Sequence, residues 1–360
     1  MINMKEIPPA LQTYDLCLAA VKEDGEQFEY VDERFRTNEI SLAAIRQNAS
    51  VLRFMEHPSR EVCLEAVRRN PYVLDYIQEQ TPDICLEAVR QCGLVIALVR
   101  EQTPDLCLEA VRQNGRALEY IKEQTPEICM AAIEQSGNTL KYVREQSPEL
   151  CLAAVRQNGN ALQFVKDQTE TLCLEGVKKT GMALRYAEYQ TPDICLEAVR
   201  RDGLALEYVT SQTPELCLEA VRENGLGLRY VKKQTLELAL EAVRQNGWAI
   251  YYVDDQTPTL CLEAVKENGL ALQYIEEQTP EICLEAVRQN GLALEYVDEQ
   301  TQEICMAAVE QDGTALWFVD EQTPEIAVAA LKQNAASRGY LAPELRTPEI
   351  YKAAGFNVTG

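Results

Sequence analysis

The chain repeats itself every 22 residues, and so short a period restricts what it can fold into. From Gln278 to Glu299 it reads QTPEICLEAVRQNGLALEYVDE. Copies begin at Gln80 and at every 22nd residue through Gln322; earlier units start at Gln12, Arg36 and Pro58, and a partial sixteenth starts at Arg346. The inserted pair Arg34-Phe35 separates the first two units. A unit of this size cannot close a core of its own, so neighbours must stack and bury one another's apolar faces. The sequence is therefore divided into an N-terminal cap (1–11), fifteen tandem repeats forming one continuous solenoid (12–343), and a partial repeat with a C-terminal cap (344–360). That leaves no room for a separate catalytic domain.

Each unit carries its own punctuation. The second position is Thr or Ser in all sixteen units, with Pro next in ten and then usually Asp or Glu. This is an N-cap hydroxyl, a proline at the first helical position and an acid suited to the helix dipole. A first helix through Ile-Cys-Leu-Glu-Ala-Val-Arg-Gln should end at Asn-Gly, with the glycine expected in a left-handed C′ conformation. A second helix, Leu-Ala-Leu-Glu-Tyr-Val, should run about two turns to the next Gln-Thr. Neither helix is long enough to persist alone in water. The fold expected is all-α: a superhelical α-solenoid of short αα-hairpins.

The run TPEICLEAVRQNGLALEYV resembles a tandem repeat known only as a domain of unknown function, which occurs in multiple copies in bacterial and giant-virus proteins. The resemblance covers nearly the whole chain and implies the repeat architecture. It carries over no catalytic residues, because that family is defined by its repeat and not by a chemistry.

Charge narrows the function. With 57 acidic and 34 basic residues the formal net charge is −23. Nucleic-acid phosphates and anionic membranes are attracted by Lys and Arg, so neither is an expected partner. The excess serves solubility in a long surface, or it attracts a basic partner. No apolar stretch approaches a membrane span, and no secretory signal is expected at the N-terminus.

Several residue types form ladders at fixed repeat positions. Twelve of the thirteen cysteines occupy one position, from Cys17 to Cys305, and none sits in a Cys-x-x-Cys pair. Adjacent rungs one helix spacing apart lie beyond disulfide reach, so they are read as small buried residues, reduced and metal-free. Unbridged thiols in this number point to a reducing, cytoplasmic compartment. Cys92 is out of register and is expected to be the reactive thiol. A tyrosine ladder, typified by Tyr296, is read as core packing with the hydroxyl at the rim. A glutamine before the N-cap, in thirteen of fifteen full units, should satisfy backbone groups at the turn. Glu285 and Arg288 typify a pair three apart on an exposed helical face; Glu134 and Glu310, which replace Arg, coincide with Ala131 and Ala307.

Catalytic patterns are lacking. His57 is the sole histidine, so no triad or two-imidazole metal site can form within the chain. No phosphate-binding loop or nucleophile elbow is present. No enzymatic activity and no cofactor are expected. Function is expected where repeats differ on the exposed second helix, at the positions held by Leu292 and Glu295. Aromatics and arginines mark interaction hot spots, which singles out Trp248, Tyr251, Trp317, Arg185 and Arg229. The expected role is a protein–protein interaction scaffold that binds a peptide or protein along a repeat-lined groove. The alternative is an acidic mimic that captures basic proteins by charge.

Overall fold

Except at Thr81, whose hydroxyl donates to Asp83 instead, each repeat starts where a side-chain hydroxyl stands in for a missing turn of helix. Thr279 Oγ1 accepts the amide of Ile282 at 3.3 Å, and Pro280 takes the first helical position, where no amide donor is needed. The α-helix Pro280–Gln289 ends at Asn290, whose backbone is extended (φ −149°, ψ 108°). Asn290 also opens the second helix, its Oδ1 accepting the amide of Leu292 at 3.1 Å. That helix, Gly291–Tyr296, is 3₁₀ rather than α. One asparagine thus ends one helix and caps the next.

The computed structural model describes residues 2–356. Among these residues there are fifteen ten-residue α-helices, fifteen six-residue 3₁₀ helices, a shorter α-helix Pro348–Ala353, and no strand. The Arg34-Phe35 insertion forms a brief 3₁₀ turn, Glu33–Phe35, between the first two repeats. Of the 344–360 segment, the last four residues lie outside the described ones. The chain divides into two compact units, Met1–Lys179 and Thr180–Gly360. No helix among the described residues is long and apolar enough to cross a membrane.

Within each unit the packing is the same. In the first unit Leu106, Cys107, Ala110 and Val111 of an α-helix are buried with Leu118 and Ile121; in the second, Ile282, Cys283, Ala286 and Val287 are buried with Leu294 and Val297. The 3₁₀ geometry explains the division of labour, because residues three apart eclipse one another. Gly291, Leu294 and Val297 form the column facing the core. Leu292 and Glu295 form the column facing outward, and Tyr296 lies between the two, half-buried.

The glycine is not in the left-handed conformation expected of it. Gly355 (φ 90°) is the one glycine with positive φ among the described residues. The requirement is space: a Cβ on Gly291 would come within 2.5 Å of the Ala308 carbonyl oxygen in the next repeat, and one on Gly203 within 2.3 Å of that of Ala220. The Gly291 amide donates to Gln311 Oε1 at 2.5 Å, so close approach and hydrogen bond occur together.

The glutamine before the N-cap satisfies backbone groups, as expected, but across repeats and not only at its own turn. In the first unit Gln102 Nε2 donates to the Ile96 carbonyl at 3.0 Å and to that of Tyr120, also at 3.0 Å. Its Oε1 accepts the Lys122 amide at 2.9 Å. The charged ladder also differs from its expected form. Arginine pairs with glutamate of the following repeat: Arg156–Glu175 at 2.7 Å in the first unit, Arg200–Glu219 at 2.8 Å, Arg222–Glu241 at 3.0 Å and Arg244–Glu263 at 2.8 Å in the second. These arginines hold the Glu175 and Glu263 carboxyls below their ordinary pKa. The partner nineteen residues on from Glu134 is Ala153, and that from Glu310 is Ala329. The compensation for a reversed charge therefore lies across the repeat interface as well as within the helix.

Candidate functional site

The outer face of the 3₁₀ helices carries all five residues singled out from the sequence, and all five lie in the second unit. Their common neighbour is the tyrosine ladder. That ladder is not core: its rings are half-buried, and Tyr76 (44%), Tyr120 (38%) and Tyr340 (38%) are exposed outright. In three repeats of the second unit the residue just before the ring lies against its own repeat's ring and that of the next. The Arg185 guanidinium is 4.8 Å from the Tyr186 centroid and 5.6 Å from that of Tyr208. Arg229 is 5.4 Å from Tyr230 and 5.8 Å from Tyr252. Such distances are within cation–π range.

Tyr251 continues the row with an aromatic ring in place of a cation. It meets Tyr252 at 4.9 Å and Tyr274 at 4.8 Å, both edge-to-face. Trp248, one 3₁₀ turn earlier, meets the same Tyr274 at 5.6 Å. Tyr251 is 60% exposed, whereas Trp248 is half-buried and thus less accessible than its sequence position suggests. Trp317 is 66% exposed and packs edge-on against Tyr340 at 5.4 Å. Arg229, Tyr251 and Trp248 thus meet through Tyr252 and Tyr274. Arg185 stands two repeats before this cluster and Trp317 three after it.

Acidic residues complete the row in places. The Tyr208 and Tyr230 phenols both titrate above their ordinary value, Tyr208 chiefly through the neighbouring Glu207 carboxylate and Tyr230 chiefly through burial. Burial, followed by the Glu295 charge, does the same for Tyr296. The rings of Tyr208, Tyr230 and Tyr296 therefore stay neutral at physiological pH.

The loops beside this face vary sharply in charge. After Tyr252, Tyr274, Tyr296 and Phe318 come the exposed pairs Asp254-Asp255, Glu276-Glu277, Asp298-Glu299 and Asp320-Glu321. After Tyr208 and Tyr230 come Thr210-Ser211 and Lys232-Lys233. Sequence reasoning passed over these loops because each acid, taken singly, reads as solvated surface. It also missed Leu236, which replaces the usual proline and is 57% exposed.

The cysteine ladder offers little chemistry. Its twelve rungs are buried, and Cys92 is half-buried. Several thiols point at the inter-repeat glutamine: Cys283 Sγ lies 3.3 Å from Gln278 Oε1, and Cys305 Sγ lies 3.4 Å from Gln300 Oε1. Burial pushes the Cys63 and Cys283 thiols up to about 11. The rungs are thus weak donors to an amide oxygen as well as small apolar fillers. Cys92 replaces the capping asparagine without making the cap, and its Sγ lies 3.4 Å from Tyr72 Oη. No group of three or more metal-ligating side chains is found among the described residues.

A family profile described as a domain of unknown function (DUF4116) matches the chain six times, over residues 14–57, 103–146, 125–169, 213–256, 258–302 and 279–323. No curated protein matches it.

Proposed function

From the premise that the chain belongs to the tandem-repeat family of the domain of unknown function (DUF4116), we propose that it is a non-catalytic scaffold that binds a protein or peptide along the outer face of its 3₁₀ helices. One observation carries this reading. Tyr251 and Trp317 expose 60% and 66% of their surface at a position where the consensus repeat places Glu295. The fold does not need an aromatic there, because the glutamate repeats build the same helix. Exposed apolar area favours contact at about 25 cal/mol per Å² buried, and Trp, Tyr and Arg are the residue types that concentrate binding energy.

The buried thiol ladder fits a reducing, cytoplasmic setting. The net charge of −23 disfavours nucleic acid and anionic membrane as partners. It also favours a second reading, capture of basic proteins by charge alone. Salt separates the two: charge capture is lost steeply as salt rises, and aromatic anchoring is not. A photo-cross-linking residue at position 317, compared with one at position 200 on the α-helical face, tests the main reading in cells that make the protein. A discrete adduct from 317 and none from 200 is expected. Equal labelling from both positions, or none from 317, refutes it.

A further inference from the structure

Each repeat is an internal control for the others, and the aromatic row is used in two ways. In the second unit, where the residue before the ring is arginine, its guanidinium sits over two successive tyrosines, as Arg185 does over Tyr186 and Tyr208 and Arg229 over Tyr230 and Tyr252. From Tyr274 to Tyr340 the same position holds Gln273, Glu295, Trp317 and Gly339, and no cation. The loops change in the opposite sense. After Tyr186 and Tyr230, which carry their own arginine, they are Glu188-Tyr189 and Lys232-Lys233, and after Tyr208, which Arg185 reaches, Thr210-Ser211; beginning with the loop after Tyr252, the last ring that an arginine reaches, they are acidic at both positions. No ion pair to Asp254, Asp255, Glu276, Glu277, Asp298 or Glu299 is found among the described residues. Among the described residues Tyr296 is half-buried with no arginine or aromatic ring packed on it, Tyr274 is met only by Tyr251 and Trp248 of the preceding repeat, and carboxylates follow both tyrosines in the chain where no internal cation is supplied.

We propose that this stretch of the second unit, from Tyr274 to Phe318, receives an extended basic peptide with an arginine at every third residue. The inference rests on the reading of this face as a binding surface and names the partner's chemistry. Each incoming guanidinium would occupy the place that Arg185 and Arg229 fill in their own repeats, over one ring and against the next. The carboxylates of the adjoining loop supply the charge. The spacing follows from geometry: packed helices lie about 8–10 Å apart, and three residues of an extended polyproline-type chain advance about 9 Å. One arginine per three residues therefore keeps step with one ring per repeat. Contiguous arginines do not.

The test uses the full chain and two fluorescent fifteen-residue peptides of one composition, five Arg-Pro-Pro triplets against five contiguous arginines followed by ten prolines. The triplet peptide is expected to bind at least tenfold more tightly. It should lose at least tenfold with Tyr274→Leu and Tyr296→Leu combined, and with Glu276→Gln, Glu277→Gln, Asp298→Asn and Glu299→Gln combined. Leucine is a fair replacement because Leu98 occupies the ring position in its own repeat, and the melting temperature of each variant checks that it folds. Equal binding of both peptides, abolished at 0.5 M salt, would overturn the proposal in favour of charge alone. Failure of both peptides to bind also overturns it. If the peptides fail while position 317 still cross-links a partner, the partner's chemistry has been misassigned and the binding face stands.

Discussion

Gln278 Nε2 donates to the main-chain oxygen of Tyr296 at 2.8 Å, a bond that reaches eighteen residues along the chain and ties the start of a repeat to the end of its 3₁₀ helix. The same side chain accepts the Asp298 amide at 3.1 Å and the Cys283 thiol at 3.3 Å. One amide therefore serves both helices of its repeat, the first turn of Pro280–Gln289 and the end of Gly291–Tyr296. Gln278→Leu keeps the bulk and strands a partly buried carbonyl and amide. At roughly 1 kcal/mol per hydrogen bond, with more for groups left unpaired, the cost should be about 2–3 kcal/mol in urea unfolding. A loss below about 0.5 kcal/mol would mean that water replaces the amide freely.

The glycines separate into two kinds. A Cβ on Gly291 meets the Ala308 carbonyl oxygen at 2.5 Å, whereas one on Gly227 meets nothing closer than 3.4 Å. Gly291→Ala should push two repeats apart and cost about 2 kcal/mol or more, as overpacking does. Gly227→Ala should be neutral or stabilising by about 0.4–1 kcal/mol, since it restricts the unfolded chain at no steric cost. Denaturant midpoints of the two variants decide this. Equal effects would refute the account of close approach.

The charged ladder makes a smaller prediction. In the first unit Glu134 and Ala153 occupy the places that Arg156 and Glu175 fill one repeat on, at 2.7 Å. Glu134→Arg with Ala153→Glu should install the missing rung and add about 0.3–1 kcal/mol, the range for an exposed pair. The double variant should exceed the sum of the two singles by that coupling, and the excess should fade in high salt. A coupling that is absent, or that salt does not alter, would show that the rungs do not act across repeats.

How much of this was legible follows from what a sequence displays. The 22-residue period, the hydroxyl N-cap, the proline start and the buried cysteine position are all local signals and lead directly to stacked helix pairs. The 3₁₀ form of the second helix was not legible, because six residues hold too few turns to separate periods of 3.0 and 3.6. The glycine misled for a related reason. Asn290-Gly291 at a helix end has the composition of a left-handed cap, and the clash that excludes a Cβ comes from Ala308, in the next repeat. Contacts between repeats were hidden in the same way, so the Glu–Arg spacing was read within one helix. The candidate residues stand out as exceptions to the consensus. What joins them, Tyr252 and Tyr274, belongs to the consensus itself and drew no notice as surface.

The thiols set a pH dependence whose sign is fixed. Burial raises the Cys63 and Cys283 pKa from 9.0 to about 11, so the folded state holds these protons more tightly than the unfolded state does. Their contribution is complete below about pH 9 and is lost as pH climbs toward 11. The melting temperature should therefore fall across that window. Cys283→Ala should flatten the fall, with alanine tolerated as Ala239 is at the same rung. At pH 8, titration of native thiols should find Cys92 first and the twelve rungs slow. Rapid modification of all thirteen would contradict the burial.

The last prediction concerns the rings themselves. Tyr251 and Trp248 do not act on the fold independently, because both lean on Tyr274, at 4.8 and 5.6 Å. Edge-to-face pairs contribute about 0.5–1.5 kcal/mol beyond the area they bury. A double-mutant cycle on Tyr251→Ala and Tyr274→Leu should return a coupling in that range, and so should one on Trp248→Ala and Tyr274→Leu. Trp317 packs on Tyr340, three repeats away, so Trp317→Ala combined with Tyr251→Ala should add within about 0.5 kcal/mol, as separated sites do. Trp317→Ala alone should cost less than about 1 kcal/mol, since the ring is 66% exposed and leaves no cavity. Trp248→Ala should cost more, because that ring is half-buried. If Trp317→Ala instead unfolds the second unit, the ring is a structural support, and its exposure cannot be attributed to a partner.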